Sequence, residues 1–265
     1  MIALNEKAPV CWESFSDRFC SRDILFFDRV SSTNIVAKNL AKKGFRAAVV
    51  SSSQSAGRGR LGRRWESASA GGLCMSFTLH REPEDASVPL VGIAAALAAL
   101  DALRQYANLD FQIKWPNDII LNGKKICGVI SEAVWGLEKL DYMVVGAGVN
   151  VNQRHSDFSA PLRNSATSLF IETGKTFAIR ALAYEMLKIF DGLFYSLQKN
   201  GAPPLIARYR ENCRTAGGAV CIKDGDEEIF RGKAIGIDED GSLIVRDLSG
   251  RVEKFNYGEV SSREI

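Results

Sequence analysis

Residues 111–149 constrain this chain more than any other stretch. FQIK, a Trp-Pro turn, DIIL, the dipeptide Asn122-Gly123 and KKICGVI read as strands. The last two are joined by the strongest short hairpin signal a sequence carries, and MVVGAGVNV supplies a further strand. Strands that follow one another through tight turns are antiparallel. The middle of the chain is therefore a meander, which argues against an alternating parallel α/β sheet.

That decides how to read SAGRGRLGRRWES at 55–67. Gly57, Gly59 and Gly62 fall at the spacing G-x-G-x-x-G of a dinucleotide-binding turn, and AAVVSSS at 47–53 reads as a strand leading into them. Such a turn also needs an amphipathic helix after the glycines, and from Arg63 to Gly72 there is no apolar stripe at helical spacing. The glycines must serve another purpose. Arg58, Arg60, Arg63 and Arg64 are interleaved with them, on a backbone free to approach a ligand and expose N–H groups, which suits a polyanion. The alternative is a solvated basic loop.

KWPNDIILNGKKICG, residues 114–128, is the second constellation. A two-residue Asn-Gly turn pairs Leu121 with Lys124, Ile120 with Lys125 and Ile119 with Ile126. Asp118, Ile120, Lys125, Cys127 and Val129 are then expected on one face. If that face is buried, a charged Lys125 needs an anion; otherwise it sits at the exposed end of a hairpin.

Other segments fill in the frame. ILFFDRV opens a strand, and SSTNIVAKNLAKKG predicts a helix capped by Ser32 or Thr33 and stopped by Gly44. GGLCMSFTL alternates as a half-buried strand does, and a core helix is expected from about Pro89 to Tyr106. Leu182, Met186, Ile189, Phe190, Leu193 and Leu197 form a helical stripe, and Pro203-Pro204 starts a helix carrying Tyr209. Near 215 the texture changes to short alternating runs broken at Asp224-Gly225, Asp240-Gly241 and Ser249-Gly250, as in a small antiparallel barrel. The expected fold class is α+β: a mixed, largely antiparallel sheet with packed helices over 1–213, then a small barrel over 214–265.

Composition narrows the chemistry. Lys and Arg number 34 against 31 Asp and Glu, too even a balance for a surface that binds nucleic acid throughout. The cysteines at 11, 20, 74, 127, 213 and 221 have no C-x-x-C or metal-ligand rhythm and read as reduced thiols of a cytoplasmic protein. No signal peptide is expected, and Val88 to Leu100 is too short and Ala-rich for a membrane span. With only His80 and His155 available, a triad or a zinc site is disfavoured, and catalysis should lean on Lys, Arg, Asp and backbone. Gly174-Lys175-Thr176 ends like a phosphate loop, but Leu169 stands where its first glycine is required.

GRGRLGRRW at 57–65, KWPND at 114–118, GKKICG at 123–128 and GAGVN at 146–150 together resemble the biotin protein ligases in order and spacing. The resemblance implies a class II synthetase-like biotin/lipoate ligase fold with an SH3-like C-terminal barrel. It implies ATP- and Mg2+-dependent joining of biotin to one lysine of a biotin carboxyl carrier domain, through biotinyl-5′-AMP. By the same resemblance Ser32, Thr33, Asn34 and Gln54 receive the ureido head of biotin; a helix cap and a strand-end polar residue are their plainer reading. Arg58, Gly59 and Arg60 form the ligand loop, and Lys125 meets the biotin carboxyl. Arg58, Arg60, Trp65, Lys114, Asn117, Asp118 and Asn150 surround ATP or the adenylate, with Asp118 toward the metal. Arg60, Lys114 and Lys125 offset charge in catalysis. The family's bifunctional members carry a DNA-reading domain, and only about 22 residues precede the first expected strand, so a ligase alone is expected. The implied partner is the carrier protein, with neither specific DNA nor membrane and with a homodimer left open. Two rivals stand beside this reading: a lipoate or octanoate ligase or transferase of the same fold, and a nucleotide-sensing regulator whose basic loop binds nucleic acid.

Overall fold

In a computed structural model the described residues are 9–17, 21–67, 70–79, 88–137, 139–225, 227–256 and 258–261. Cys20 and His80 lie outside them.

The first strand is one that the sequence pattern does not announce. β1 (Cys11–Ser16) alternates half-buried and exposed residues with no fully buried face, and pairs antiparallel with β2 (Ser21–Phe27) at the edge of the main sheet. Helix α1 (Thr33–Ala41) then crosses to β3 (Ala47–Ser51), which lies parallel to β2. Every other pairing in this sheet is antiparallel: β4 (Leu73–Leu79), β5 (Gln112–Lys114), β6 (Asp118–Leu121), β7 (Lys124–Trp135) and β8 (Leu140–Val149) complete the order β1-β2-β3-β4-β8-β7-β6-β5. The mixed, largely antiparallel sheet expected from the hairpin is therefore present.

Helices cover both faces. α1 buries Val36, Ala37 and Leu40 against Leu25, Phe27, Val49 and Val144. The larger core lies on the other face, under α2 (Val88–Tyr106), the short α3 (Leu169–Thr173), α4 (Ile179–Asn200) and α5 (Pro203–Asn212). By length and composition α2 could cross a membrane, but its alanines let it pack closely on β7 and α4 inside the core. Gly174 is the left-handed C-cap of α3, so GKT is a helix stop and not a phosphate loop. In α4, Leu182, Met186, Phe190 and Leu197 are buried as expected, whereas Ile189 and Leu193 lie half-buried at the stripe's edge.

β4 departs from expectation: all seven residues are buried, not every second one. The reason is α1, which covers the polar face of the strand, where Ser76 meets Thr33 and Thr78 accepts from the Ala47 amide. Polar residues bury at little cost when their hydrogen bonds are made.

After Cys213 come β9 (Ala219–Asp224), β10 (Glu227–Ile237), β11 (Leu243–Arg246), β12 (Val252–Phe255) and β13 (Glu259–Ser261). They form a separate antiparallel sheet in the order β12-β11-β10-β9-β13, with a core of Val220, Ile222, Phe230, Ala234, Leu243 and Val245. Gly225, Gly241 and Gly250, at the turns read from the sequence, all have positive φ.

Candidate active site

The site is built on a floor of glycine. In the β7–β8 ladder Gly128 faces Gly148 and Ile130 faces Gly146. A side chain at Gly148 would run into the indole of Trp65, and one at Gly146 into the carboxamide of Asn34. The missing side chains let those two groups lie flat on the sheet. Above the floor opens a cavity of about 470 Å³. Its wall includes Ser32, Thr33, Asn34, Gln54, Arg58, Gly59, Arg60, Trp65, Lys114, Asn117, Asp118, Lys125 and Asn150. The structure thus brings together all the residues that the resemblance assigns to biotin, ATP or the metal.

The arginine loop is a compact hairpin over this cavity. Gly59 N–H donates to Arg63 O (2.7 Å) and Trp65 N–H to Gly57 O (3.0 Å), and Leu61 and Gly62 both take positive φ at the tip. The glycines have different causes. Gly62 supplies the left-handed turn, whereas Gly57 is small because the Trp65 carbonyl packs against its α-carbon. Arg60 donates to Asn117 Oδ1 (3.0 Å), and Asn117 donates in turn to the Val129 carbonyl, which ties the loop to the Trp-Pro segment. Arg64 is held by the Ser55 carbonyl (3.0 Å).

The Asn-Gly hairpin departs from regular register. Leu121 pairs with Lys124 and Ile120 with Lys125, but Ile119 pairs with Cys127, leaving Ile126 as an extra, bulged residue. Cys127 and Val129 are consequently buried in the core and not on the face of Lys125, and Gly128 takes the place opposite Asp118. Asp118 and Lys125 do share the cavity face, with Nζ 2.6 Å from Oδ1. Lys125 Nζ also lies 5.7 Å from the centroid of the Trp65 ring. Lys125 thus has a carboxylate partner and remains over a third exposed.

The Trp-Pro turn is pinned from behind. Trp115 N–H donates to Thr215 Oγ1 (2.9 Å), its indole Nε1 to Gly241 O (3.0 Å), and Tyr209 to the Pro116 carbonyl (2.8 Å). Tyr209 lies on α5, Thr215 in the turn before β9 and Gly241 in the turn between β10 and β11. Gly258 and Val260 reach the cavity wall from the same direction.

At the start of α1, Ser32 occupies the N-cap position but its side chain makes no capping bond, contrary to the capping expectation. Its Oγ is buried on the cavity wall and has no hydrogen-bond partner among the described residues. Thr33 N–H donates to Gln54 Oε1 (2.7 Å), and Thr33 Oγ1 lies 2.7 Å from Ser76 Oγ. Ser76 donates to Asn34 Oδ1, while Asn34 Nδ2 donates to Glu132 (2.8 Å), which also pairs with Lys38 (3.0 Å).

Two thiols lie behind the cavity. Burial pushes Cys74 up to about 11 and Cys127 up to about 12, so both stay protonated at neutral pH and neither is a nucleophile. Among the described residues no group of three or more His, Cys, Asp or Glu is placed to hold a metal ion. The carboxylates in the wall are Asp118 and Glu66.

Comparison with known proteins now bears on this geometry. Residues 26–150 match the model of the biotin/lipoate A/B protein ligase family, and 216–263 that of the biotin protein ligase C-terminal domain. A biotin–[acetyl-CoA-carboxylase] ligase of Paracoccus denitrificans is 30% identical, over 84% of this chain and 94% of its own. The chain belongs to the biotin protein ligases. A bifunctional ligase/repressor BirA of Bacillus subtilis is also 30% identical, over 86% of this chain and 70% of its own. The biotin protein ligase from Aquifex aeolicus, solved in complex with biotin and ATP, superposes with a TM-score of 0.77 at 28% identity, covering 91% of this chain and 99% of that one.

For a biotin protein ligase the motifs legible in sequence are those where charge and glycine alternate at unusual spacing. Ser76, Glu132 and Lys38 escape such reading, because each is a single polar residue on an ordinary strand or helix. Alternation along GGLCMSFTL places Ser76 on the polar face, so no signal in the sequence marks it. Trp115 was noticed as part of a turn, but its partners lie a hundred residues on, at Thr215 and Gly241.

Proposed function

We infer that the chain is an ATP-dependent ligase that activates biotin as biotinyl-5′-AMP and passes it to one lysine of a biotin carboxyl carrier domain. One observation carries the reading: a single cavity joins a hydrogen-bonding pocket at Ser32, Thr33 and Gln54 to a cationic wall at Arg58, Arg60, Lys114 and Lys125. A flat bicyclic urea fits the first. A carboxylate meeting a triphosphate requires the second. The Aquifex structure holds biotin and ATP together, and the Paracoccus relative is named for a carboxylase.

In the first step a biotin carboxylate oxygen attacks the α-phosphorus of ATP, the P–O bond to the β-phosphate breaks, and pyrophosphate leaves. Lys125 holds the carboxylate; Arg58, Arg60 and Lys114 take the phosphate charge. Magnesium enters with the nucleotide as part of the substrate, its shell largely phosphate oxygen and water, which suits a wall without a carboxylate cluster. Asp118, whose Oδ1 meets Lys125, is the wall carboxylate that would hold it there. In the second step the neutral lysine amine of the carrier attacks the acyl carbon, AMP leaves, and the amine loses its proton. Trp65 and the hairpin at 57–65 cover the mixed anhydride meanwhile and keep water from it.

Mass spectrometry of a carrier domain incubated with the protein, Mg-ATP and biotin tests this. A gain of one biotin on one lysine is expected; labelling with lipoate or octanoate but not with biotin would overturn it.

The remaining assignments extend the proposal. The division at 213/214 is supported by the separate sheet after Cys213 and by the two family matches. A cytoplasmic location is supported by free thiols at Cys11, Cys74, Cys127, Cys213 and Cys221. The basic loop is engaged with Asn117 and Ser55, so DNA binding should be weak and lost as salt is raised. Tight, sequence-dependent gel shifts at physiological salt would contradict that.

A further inference from the structure

The hydrogen-bond chain running inward from Thr33 has a direction, and one residue sets it. Glu132 is a carboxylate, so it can only accept, and the Asn34 group that meets it at 2.8 Å must be the NH2. Asn34 Oδ1 then faces Ser76 and takes the Ser76 proton. Having given its only proton away, Ser76 can only accept from Thr33, 2.7 Å away. Thr33 is left with free lone pairs on the cavity wall, and Gln54 Oε1, 2.7 Å from the Thr33 amide and 3.1 Å from Thr33 Oγ1, then takes a proton from the amide only, because Thr33 Oγ1 gives its proton to Ser76.

We propose that Glu132, backed by Lys38, is a specificity-determining positioning residue: it fixes the proton order along Asn34, Ser76 and Thr33 so that the pocket presents acceptors to the ring N–H groups of the substrate. The proposal rests on the reading of this pocket as the biotin-head site. Ser32 Oγ, buried with no partner among the described residues, supplies the complementary donor for the ureido carbonyl. A head with one carbonyl between two N–H groups matches this order, and a head with the reverse pattern does not.

Glu132→Gln reverses the chain. Lys38 Nζ, 3.0 Å from Oε1 of residue 132, keeps a carbonyl oxygen on its own side and turns the new NH2 toward Asn34. Asn34 must then present Oδ1 to residue 132 and Nδ2 to Ser76. Ser76 now donates to Thr33, whose own proton goes to Gln54 Oε1, 3.1 Å away. Both acceptors facing the ligand are drawn into internal bonds.

Titration calorimetry with biotin separates this from a merely structural role. Glu132→Gln is expected to weaken binding about ten-fold. In the paired variant Glu132→Gln with Asn34→Asp, residue 34 is again an acceptor toward Ser76, and affinity should return to within about three-fold of the parent. Ser76→Ala cuts the chain, and in that background Glu132→Gln should cost nothing further. Glu132→Gln binding biotin as the parent does, the paired variant showing no recovery, or an undiminished loss in the Ser76→Ala background would each overturn the proposal. Failure of the parent protein to bind biotin would overturn the reading of the pocket beneath it.

Discussion

Lys125 sits where three groups meet: Asp118 Oδ1 at 2.6 Å, the face of Trp65, and the bare α-carbon of Gly128. A long flexible ammonium so placed can leave its carboxylate for a ligand carboxylate without leaving the cavity. Lys125→Met should damage adenylate formation more than carrier acylation. In the first step two anions converge, and the ammonium offsets repulsion that peaks as they meet. In the second step the attacking amine is neutral. Loss of one preorganised electrostatic donor costs ~10²- to 10³-fold in rate, expected here for biotinyl-AMP synthesis at saturating ligand, with a visibly smaller loss in transfer from supplied biotinyl-AMP. Equal losses in both steps would exclude the role. At this scale the sequence was informative where residue type alone limits the chemistry, as for Lys125 and Arg60. It was silent on Glu132 and Ser76, whose meaning lies in which atoms face each other across strands.

At the scale of elements the Asn-Gly hairpin and the glycine loop were legible because turn chemistry is local. The bulge at Ile126 was not, since it is set by the core's demand for both Ile126 and Cys127. β1 was missed for the opposite reason, having no buried face to leave a pattern. The loop at 57–65 is held by few backbone bonds at its neck, with an exposed tip at Leu61 and Gly62. Hydrogen exchange in this segment should therefore slow when biotin and ATP are added; exchange that does not change would count against a lid. Gly57→Ala tests the same element from inside. The new methyl meets the Trp65 carbonyl, so the neck must open and carry Trp65 off its floor. Overpacking of this kind costs ~1–3 kcal/mol, and biotinyl-AMP should leave the variant several-fold faster or more in a release assay. A parent-like release rate would mean that Trp65 closes the cavity independently of the neck.

Two long-range joints hold the whole molecule, and neither could be read from local pattern. Arg22 on β2 and Asp191 on α4 form a buried ion pair beneath the ring of Phe77, and burial raises the Asp191 carboxyl to about 6 against the pull of Arg22. Asp191→Leu takes the paired carboxylate from a buried guanidinium, with Asp17 near enough to answer part of its charge, so it should cost up to ~3–5 kcal/mol in denaturant unfolding, and Asp191→Leu with Arg22→Met clearly less. Additive losses would show that the pair is not the joint. The second joint matters for function, because Trp115 belongs to the segment that carries Lys114, Asn117 and Asp118 into the cavity while its amide and indole are held by Thr215 and Gly241. Trp115→Phe keeps an aromatic ring but loses part of the indole's volume together with its one donor, leaving the Gly241 carbonyl without that partner. An unsatisfied buried carbonyl costs ~1–3 kcal/mol, and the strands after Cys213 can relieve it by drawing back from the cavity, taking Gly258 and Val260 with them. The pocket at Ser32, Thr33 and Gln54 is built on α1 and β3 and β4, far from that joint in the chain. Trp115→Phe should therefore raise the KM for ATP several-fold while the Kd for biotin alone stays within about two-fold of the parent. If biotin affinity falls as far as ATP affinity, the C-terminal sheet supports the whole cavity and not its nucleotide side.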